Sequence, residues 1–310
     1  MNAWIFAGQG SQYVGMGKEL YKRYQTAKNI LEQANDILGF DILKLMFEGP
    51  QDQLTLTENA QPAILAHSFA IAQVLEEMGV KCNITAGFSL GEITALTVSG
   101  VLSYEDALKL ALLRGKAMQS QVPEGVGSMA AVIGVDSKKA EEICNEISPE
   151  GDLVVANYNC PGQVTISGLK ELVEKAVERF KNEGARKVVP LRVSAPFHTK
   201  FLKPVGDTLL DFLNTINVSV PKIPVISNVT TEPYPDDTKK IKELVALQAY
   251  SPVKWEQSIN TMLGMGVEKF IEIGPGKTLT GFMRRINRNS FAKSTDGTDL
   301  EELARELADT

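Results

Sequence analysis

Residues 3–7 form an unbroken apolar run that stops at Gly8-Gln9-Gly10, the pattern of a short buried strand running into a glycine turn. From Lys18 to about Leu75 polar and apolar residues recur at helical period, with breaks at Gly39 and Gly49-Pro50. A second buried strand is predicted over Asn83 to Gly87. The sequence Ser-Tyr-Glu-Asp at 103–106 has the form of a capping box, opening a strongly apolar helix from Ala107 to about Gln121 that contains Arg114.

Between about Ser128 and Val193 the pattern changes to strand, helix, strand, strand, helix, strand. This βαββαβ order is that of a ferredoxin-like unit, and its short length predicts a subdomain inserted into a surrounding α/β domain. Strands around Pro224–Ser227 and Lys269–Ile273, alternating with helices, predict that the outer domain is built on a largely parallel sheet. The expected division is 1–124 and 195–291 for the large domain, 125–194 for the ferredoxin-like subdomain, and 292–310 for a peripheral C-terminal tail with Leu300, Leu303 and Leu307 on one side of a short helix.

At 310 residues, 44% hydrophobic and 23% charged, the chain has the composition of a packed globular protein. Its formal net charge of -6 removes the bulk electrostatic reason to expect nucleic acid or an anionic membrane as partner. Cys82, Cys144 and Cys160 are odd in number and widely spaced, which suggests neither a disulfide framework nor a metal site and fits a reducing cytoplasm. The apolar stretch from Asn59 to Leu75 is interrupted by Gln61, His67, Ser68 and Gln73, so it reads as a core helix and no membrane span is expected.

Gly87-Phe88-Ser89-Leu90-Gly91 matches G-x-S-x-G, in which small flanking residues let a serine sit on a sharp strand-to-helix turn with its hydroxyl exposed. The predicted strand before it and helix after it suit that geometry, although five loosely specified positions also recur by coincidence. A serine nucleophile needs a base, and the chain has two histidines. His67 lies in an apolar helical run and reads as a core residue. His198 follows Ala195-Pro196-Phe197 in a loop and is the better candidate, a plain surface histidine being the alternative. Arg114 is either an exposed helix arginine or a guanidinium facing a cleft, and spacing leaves both open. Gly8-Gln9-Gly10 lacks the third glycine of a dinucleotide fingerprint, and Gly276-Lys277-Thr278 lacks the first glycine of a P-loop, so neither is read as a nucleotide site.

Seven ordered segments carry a resemblance covering about residues 1–288: FAGQGSQYVGMG, NAQPAI, GFSLGE, LLRGKAMQ, ANYNCPGQVTISG, SAPFHT and IEIGPGKTLTGF. Together they resemble the malonyl-CoA:acyl carrier protein transacylases, the acyltransferases of fatty-acid and polyketide synthesis. The resemblance implies an α/β-hydrolase-like large domain with the inserted ferredoxin-like subdomain. It also implies Ser89 as acyl-accepting nucleophile, His198 as its base, backbone N–H groups of Gln9 and Leu90 as oxyanion hole, and the carbonyl of Lys254 as the group orienting the histidine. Arg114 would pair with the malonyl carboxylate, and Gln61, Asn157 and Phe197 would line the acyl and pantetheine channel.

No metal or other cofactor is implied, malonyl-CoA and an acyl carrier protein are the expected partners, and a cytoplasmic monomer is expected. Lys200, Lys203, Arg284, Arg285 and Arg288 are candidates for docking an acidic carrier. The chain departs from the family at Phe88, usually histidine, and at Ile93, usually tyrosine, which bears on substrate choice more than on mechanism. Two other functions compete with transfer: hydrolysis of an acyl thioester by the same dyad, and a silent docking scaffold.

Overall fold

The computed structural model describes residues 1–123, 125–191, 193 and 195–308. Its strands are β1 (Asn2–Phe6), β2 (Ile84–Gly87), β3 (Gly127–Ile133), β4 (Leu153–Cys160), β5 (Gln163–Leu169), β6 (Lys187–Pro190), β7 (Val225–Ile226), β8 (Lys269–Ile273) and β9 (Phe291–Ser294). Among the described residues they form a five-stranded sheet in the order β7-β2-β1-β8-β9 and a four-stranded sheet in the order β4-β5-β3-β6.

Every pairing in the larger sheet is parallel. Parallel strands need covering on both faces, and β1 shows why its sequence is continuously apolar. Trp4 and Phe6 enter one buried cluster while Ala3 and Ile5 enter the cluster on the opposite face. The helical run after β1 resolves into five helices, ending in Thr57–Glu77, which is buried on nearly every side and carries His67 into the core. The predicted capping box at Ser103 is present: its hydroxyl accepts the Asp106 N–H at 3.0 Å, and the helix runs Tyr104–Gln121.

All pairings in the smaller sheet are antiparallel. Helices Ser137–Ile147 and Lys170–Asn182 cover it through a separate apolar cluster. With the order βαββαβ along the chain, this is the ferredoxin-like arrangement. The expected crossings between the two parts touch residues 124 and 194, which lie outside the described residues. Close by, a Cβ placed on Gly127 would fall 2.2 Å from the Pro196 ring, so the outgoing and returning segments run against each other. A second tie joins β4 to the loop before helix Trp255–Gly264: Tyr158 N–H donates to the Val253 carbonyl at 2.9 Å and Val253 N–H to the Ala156 carbonyl at 2.8 Å.

The sequence reading of 292–310 as a peripheral tail is corrected by the fold. Strand β9 extends the parallel sheet beside β8, and Leu300, Leu303 and Leu307 are buried in the same cluster as Trp4 and Phe6. Arg23 pairs with Asp299 and Glu301 at the start of the last helix. The polar run Lys293–Thr298 resembles a linker because β9 is an edge strand, where polar side chains are ordinary.

Leu303 is fully buried, so Leu303→Ala should lower stability by about 2–5 kcal/mol in urea unfolding, as expected for a core leucine. A loss below about 0.5 kcal/mol, the usual range for a surface substitution, would contradict this placement.

Candidate active site

Strand β2 ends at Gly87, helix Leu90–Val98 begins two residues after Phe88, and Ser89 makes the turn with φ 53° and ψ −105°. A residue with a Cβ at such a φ costs about 1–3 kcal/mol and needs surroundings that enforce it. The glycines supply the space. A Cβ on Gly87 would lie 1.8 Å from the Gly91 backbone, one on Gly91 2.2 Å from the Phe6 carbonyl oxygen, and one on Gly8 2.4 Å from the Phe88 carbonyl oxygen. Buried amides then fix the turn. Asn228 Oδ1 accepts the Ser89 N–H at 2.9 Å, its Nδ2 donates to the Gly87 carbonyl at 2.8 Å, and Gln248 Nε2 donates to the Ser89 carbonyl at 2.7 Å.

His198 Nε2 lies 2.8 Å from Ser89 Oγ. On the other side of the ring, Nδ1 is 3.1 Å from the Gln248 carbonyl oxygen and 3.0 Å from that of Ser251. Two acceptors at Nδ1 place the proton there and turn the Nε2 lone pair toward the serine. The orienting groups are therefore not Lys254. Its carbonyl accepts from Ser258 N–H at 2.9 Å in the first turn of helix Trp255–Gly264, whereas Gln248 and Ser251 lie at the C-terminal end of helix Thr238–Gln248, where carbonyls lack intrahelical donors. Burial, and secondarily the Arg114 cation, push the His198 pKa down to about 4, so the imidazole is neutral at physiological pH.

Arg114 is buried beside this pair. One guanidinium nitrogen donates to Gln61 Oε1 at 2.9 Å, and the other to Ser89 Oγ and to Gln248 Oε1, both at 3.0 Å. All three acceptors are uncharged. Burial lowers the Arg114 pKa to about 10 against the opposing effect of Glu92, which leaves the group cationic. Gln61 in turn donates to Gln9 Oε1 at 3.2 Å.

A cavity of about 610 Å³ opens above the dyad at the seam between the two sheets. Gln9, Gln61, Phe88, Ser89, Arg114 and Phe197 border it from the large layer, and Asn157, Asn159 and Gln163 from β4 and β5. Leu90 is the first residue of its helix, so its N–H has no intrahelical acceptor and lies at the positive helix end. Phe88 packs edge-on against Trp255 at 5.6 Å between ring centroids and borders the cavity, while Ile93 is buried behind Arg114. His67 is buried in the core away from this cavity, with burial lowering its pKa to about 4. Among the described residues, no group of three His, Cys, Asp or Glu side chains could hold a metal ion.

Of the basic candidates, Lys200 pairs with Asp152 at 2.8 Å and Lys203 with Asp207 at 3.0 Å. Arg285 donates to Gln163 at 2.8 Å, and Arg284 and Arg288 are exposed. Helix Thr278–Ile286, which carries two of these arginines, also lines the cavity through Leu279 and Phe282. Asn228, Gln248, Glu92 and Tyr234, which complete the buried frame, have no counterpart in the sequence reading. The available cues were Glu92 as an acid inside an apolar helix and Asn228 just past a strand of a parallel sheet, where functional groups gather.

A serine on a strained strand-to-helix turn, a buried neutral histidine against it and a parallel sheet beneath define a serine acyl-transfer enzyme. The chain belongs to the acyl transferase domain family, whose profile it matches over residues 3–301. It is 43% identical over 303 residues to the malonyl CoA-acyl carrier protein transacylase of Bacillus subtilis (strain 168), covering 97% of this chain and 95% of that protein. The crystal structure of acyl-carrier-protein-S-malonyltransferase from Bartonella henselae superposes with a TM-score of 0.95 at 42% identity, covering 99% of each chain. A malonyl-transacylase solved in complex with its type II PKS acyl-carrier protein superposes at 0.94 with 37% identity, covering 100% of this chain and 99% of that one.

The low His198 pKa has a direct consequence for Ser89 reactivity. Lowering the pH protonates the base only below its depressed pKa, so labelling of Ser89 by a fluorophosphonate, followed by intact mass, should keep more than half of its pH 7.5 rate at pH 6. An ordinary histidine near 6.5 would leave only about a quarter.

Proposed function

We propose that this acyltransferase moves a malonyl group from malonyl-CoA to the phosphopantetheine thiol of an acyl carrier protein through a malonyl ester on Ser89. The observation that carries this reading is the buried Arg114 cation, held by neutral acceptors and donating to the nucleophile itself. A guanidinium so placed can exchange neutral partners for a carboxylate and present it in bidentate geometry beside the reacting carbonyl. The names of the relatives point to the same acyl group and carrier.

In the forward half-reaction His198 Nε2 takes the Ser89 proton as Oγ attacks the thioester carbonyl. The resulting oxyanion is received by the N–H groups of Gln9 and Leu90. Collapse breaks the carbon–sulfur bond, and His198 returns the proton to the leaving CoA thiolate. In the second half the carrier thiol gives its proton to His198 and attacks the ester, and the proton then passes back to Ser89 Oγ. Ester and thioester exchange without net oxidation, so the cycle calls for no cofactor. A malonyl carboxylate on Arg114 also offsets one of the two effects that lower the His198 pKa, strengthening the base when the acidic acyl group is bound.

Asn157 and Phe197 border the channel for the pantetheine arm, and exposed Arg284 on the cavity-lining helix and Arg288 just after it suit an acidic carrier. We place the enzyme in the cytoplasm, a reading supported by its three unpaired cysteines, and propose that it acts as a monomer. Among the described residues no helix is long and apolar enough to cross a membrane.

Removing a buried charge partner is worth about 3–5 kcal/mol, so Arg114→Ala should lower kcat/KM for malonyl transfer by about 10²- to 10⁴-fold while acetyl-CoA gains relative to malonyl-CoA. An unchanged acyl preference would remove Arg114 from substrate recognition. In the unaltered enzyme, malonyl-CoA should yield a malonyl adduct on Ser89 that passes to holo carrier protein. Predominant release of free malonate would instead identify a hydrolase, and no adduct at all a silent scaffold.

A further inference from the structure

Glu92 stands three positions after Ser89 as the one charged residue of helix Leu90–Val98, and it is 2% exposed. Oε1 accepts from the Tyr234 hydroxyl, and Oε2 accepts the backbone N–H of Asn228 at 2.8 Å. Asn228 is the residue whose side chain clamps both the Ser89 N–H and the Gly87 carbonyl. Glu92 is thus one bond removed from the frame that sets the nucleophile's backbone.

The same carboxylate faces Arg114 without touching it. Both line a separate cavity of about 10 Å³, walled by Ile93, Leu96, Leu209 and Val245, while every Arg114 hydrogen bond goes to a neutral group. Among the described residues, Glu92 is the one acidic group acting on Arg114, and Arg114 the one cation acting on Glu92. Burial pushes the Glu92 pKa up to about 7, opposed by hydrogen bonding from Tyr234, from the Asn228 backbone and from the Gln248 side chain, and lastly by the guanidinium. Separation matters for turnover. A carboxylate in direct contact would occupy the guanidinium N–H groups that a substrate needs, whereas one behind a gap lowers the local positive potential and leaves them free.

We propose that Glu92 is a positioning residue that weakens the hold of Arg114 on a carboxylate through space and fixes the Ser89 turn through Asn228. The inference rests on the malonyl-transfer reading. In that cycle the acyl group must be taken up by Arg114 and then surrendered to a second thiol, so a cation without a distant counter-charge would retain it too firmly.

The test is Glu92→Gln assayed at pH 8, where the native carboxylate is ionised. The amide oxygen keeps the Tyr234 bond, the charge is gone, and the amide nitrogen cannot accept the Asn228 N–H. Inhibition by free malonate should tighten at least fivefold and KM for malonyl-CoA should fall, while kcat drops at least tenfold. Asn228→Ala serves as comparison and should lower kcat with no tightening, since it leaves both charges in place. A purely structural role would move both variants alike, with malonate binding unchanged or weaker.

Tyr234→Phe, assayed at pH 7, removes one donor that favours the ionised carboxylate and should tighten malonate about twofold. It decides the matter if Glu92→Gln does not fold. Wild-type protein that forms no malonyl-Ser89 overturns the functional reading and this inference together. Normal wild-type loading with malonate inhibition unchanged or weakened in both Glu92→Gln and Tyr234→Phe overturns the inference alone.

Discussion

The close approach of the Ser89 turn to the end of β1 is the constraint from which the rest of the site follows. Phe6 and Gly8 meet Gly91 and Phe88 at distances that leave no room for a Cβ on either glycine, and Gly87 is pressed against the helix it precedes. That packing forces Ser89 into a left-handed φ, lifts its hydroxyl into the cavity and brings the turn at Gln9 alongside the N-terminus of the next helix. The strain is local, but its support is distributed. Asn228 from the end of β7 and Gln248 from the end of helix Thr238–Gln248 each hydrogen-bond the turn's backbone, so three separate parts of the large layer must be in register before the serine is in place.

The second organising fact is that the site contains a buried cation and keeps carboxylates out of contact with it. An acidic residue behind His198 would orient the ring equally well, but it would also compete for Arg114 and repel an anionic acyl group. Backbone carbonyls of Gln248 and Ser251 hold the same tautomer with partial charges only. Gln248 serves both needs at once, its carbonyl taking the histidine N–H and its side chain bridging Arg114 and the serine backbone. A change at this one residue would disturb base, cation and nucleophile together, which is why single-residue roles here are coupled.

Much of this was legible in the sequence, and what was not has physical reasons. Strand β1 announced itself as a continuous apolar run, and the inserted unit through its change of rhythm, because burial on two faces and on one face leave different patterns. Ser89 was a candidate through its G-x-S-x-G turn, His198 because the chain offers two histidines and the other sits in an apolar helix, and Arg114 through the family resemblance; the structure places all three within hydrogen-bonding reach. The orienting carbonyl was misplaced at Lys254 because a backbone acceptor leaves no trace in side-chain identity. Asn228, Gln248 and Tyr234 were invisible for a related cause: their function lies in long-range contacts, more than 130 residues from the turn, to which neither period nor spacing refers. The last strand was hidden because an edge position tolerates the polar residues of a linker.

The weakness of the base becomes intelligible once these features are taken together. A histidine with a pKa near 4 is a poor acceptor for a serine proton at neutral pH, and such a site would react sluggishly with water or with an uncharged acyl group. Its basicity is depressed first by burial, which is permanent, and second by Arg114, which is not. On the role proposed for Arg114, a carboxylate delivered to it would remove the second cause as the acyl carbon reaches Ser89, so that recognition of the charge and activation of the nucleophile would be the same electrostatic event. Under that proposal, specificity for an acidic acyl group would arise in the chemical step as well as in binding, because a neutral acyl chain that fits the cavity would leave the cation unanswered and the base weak.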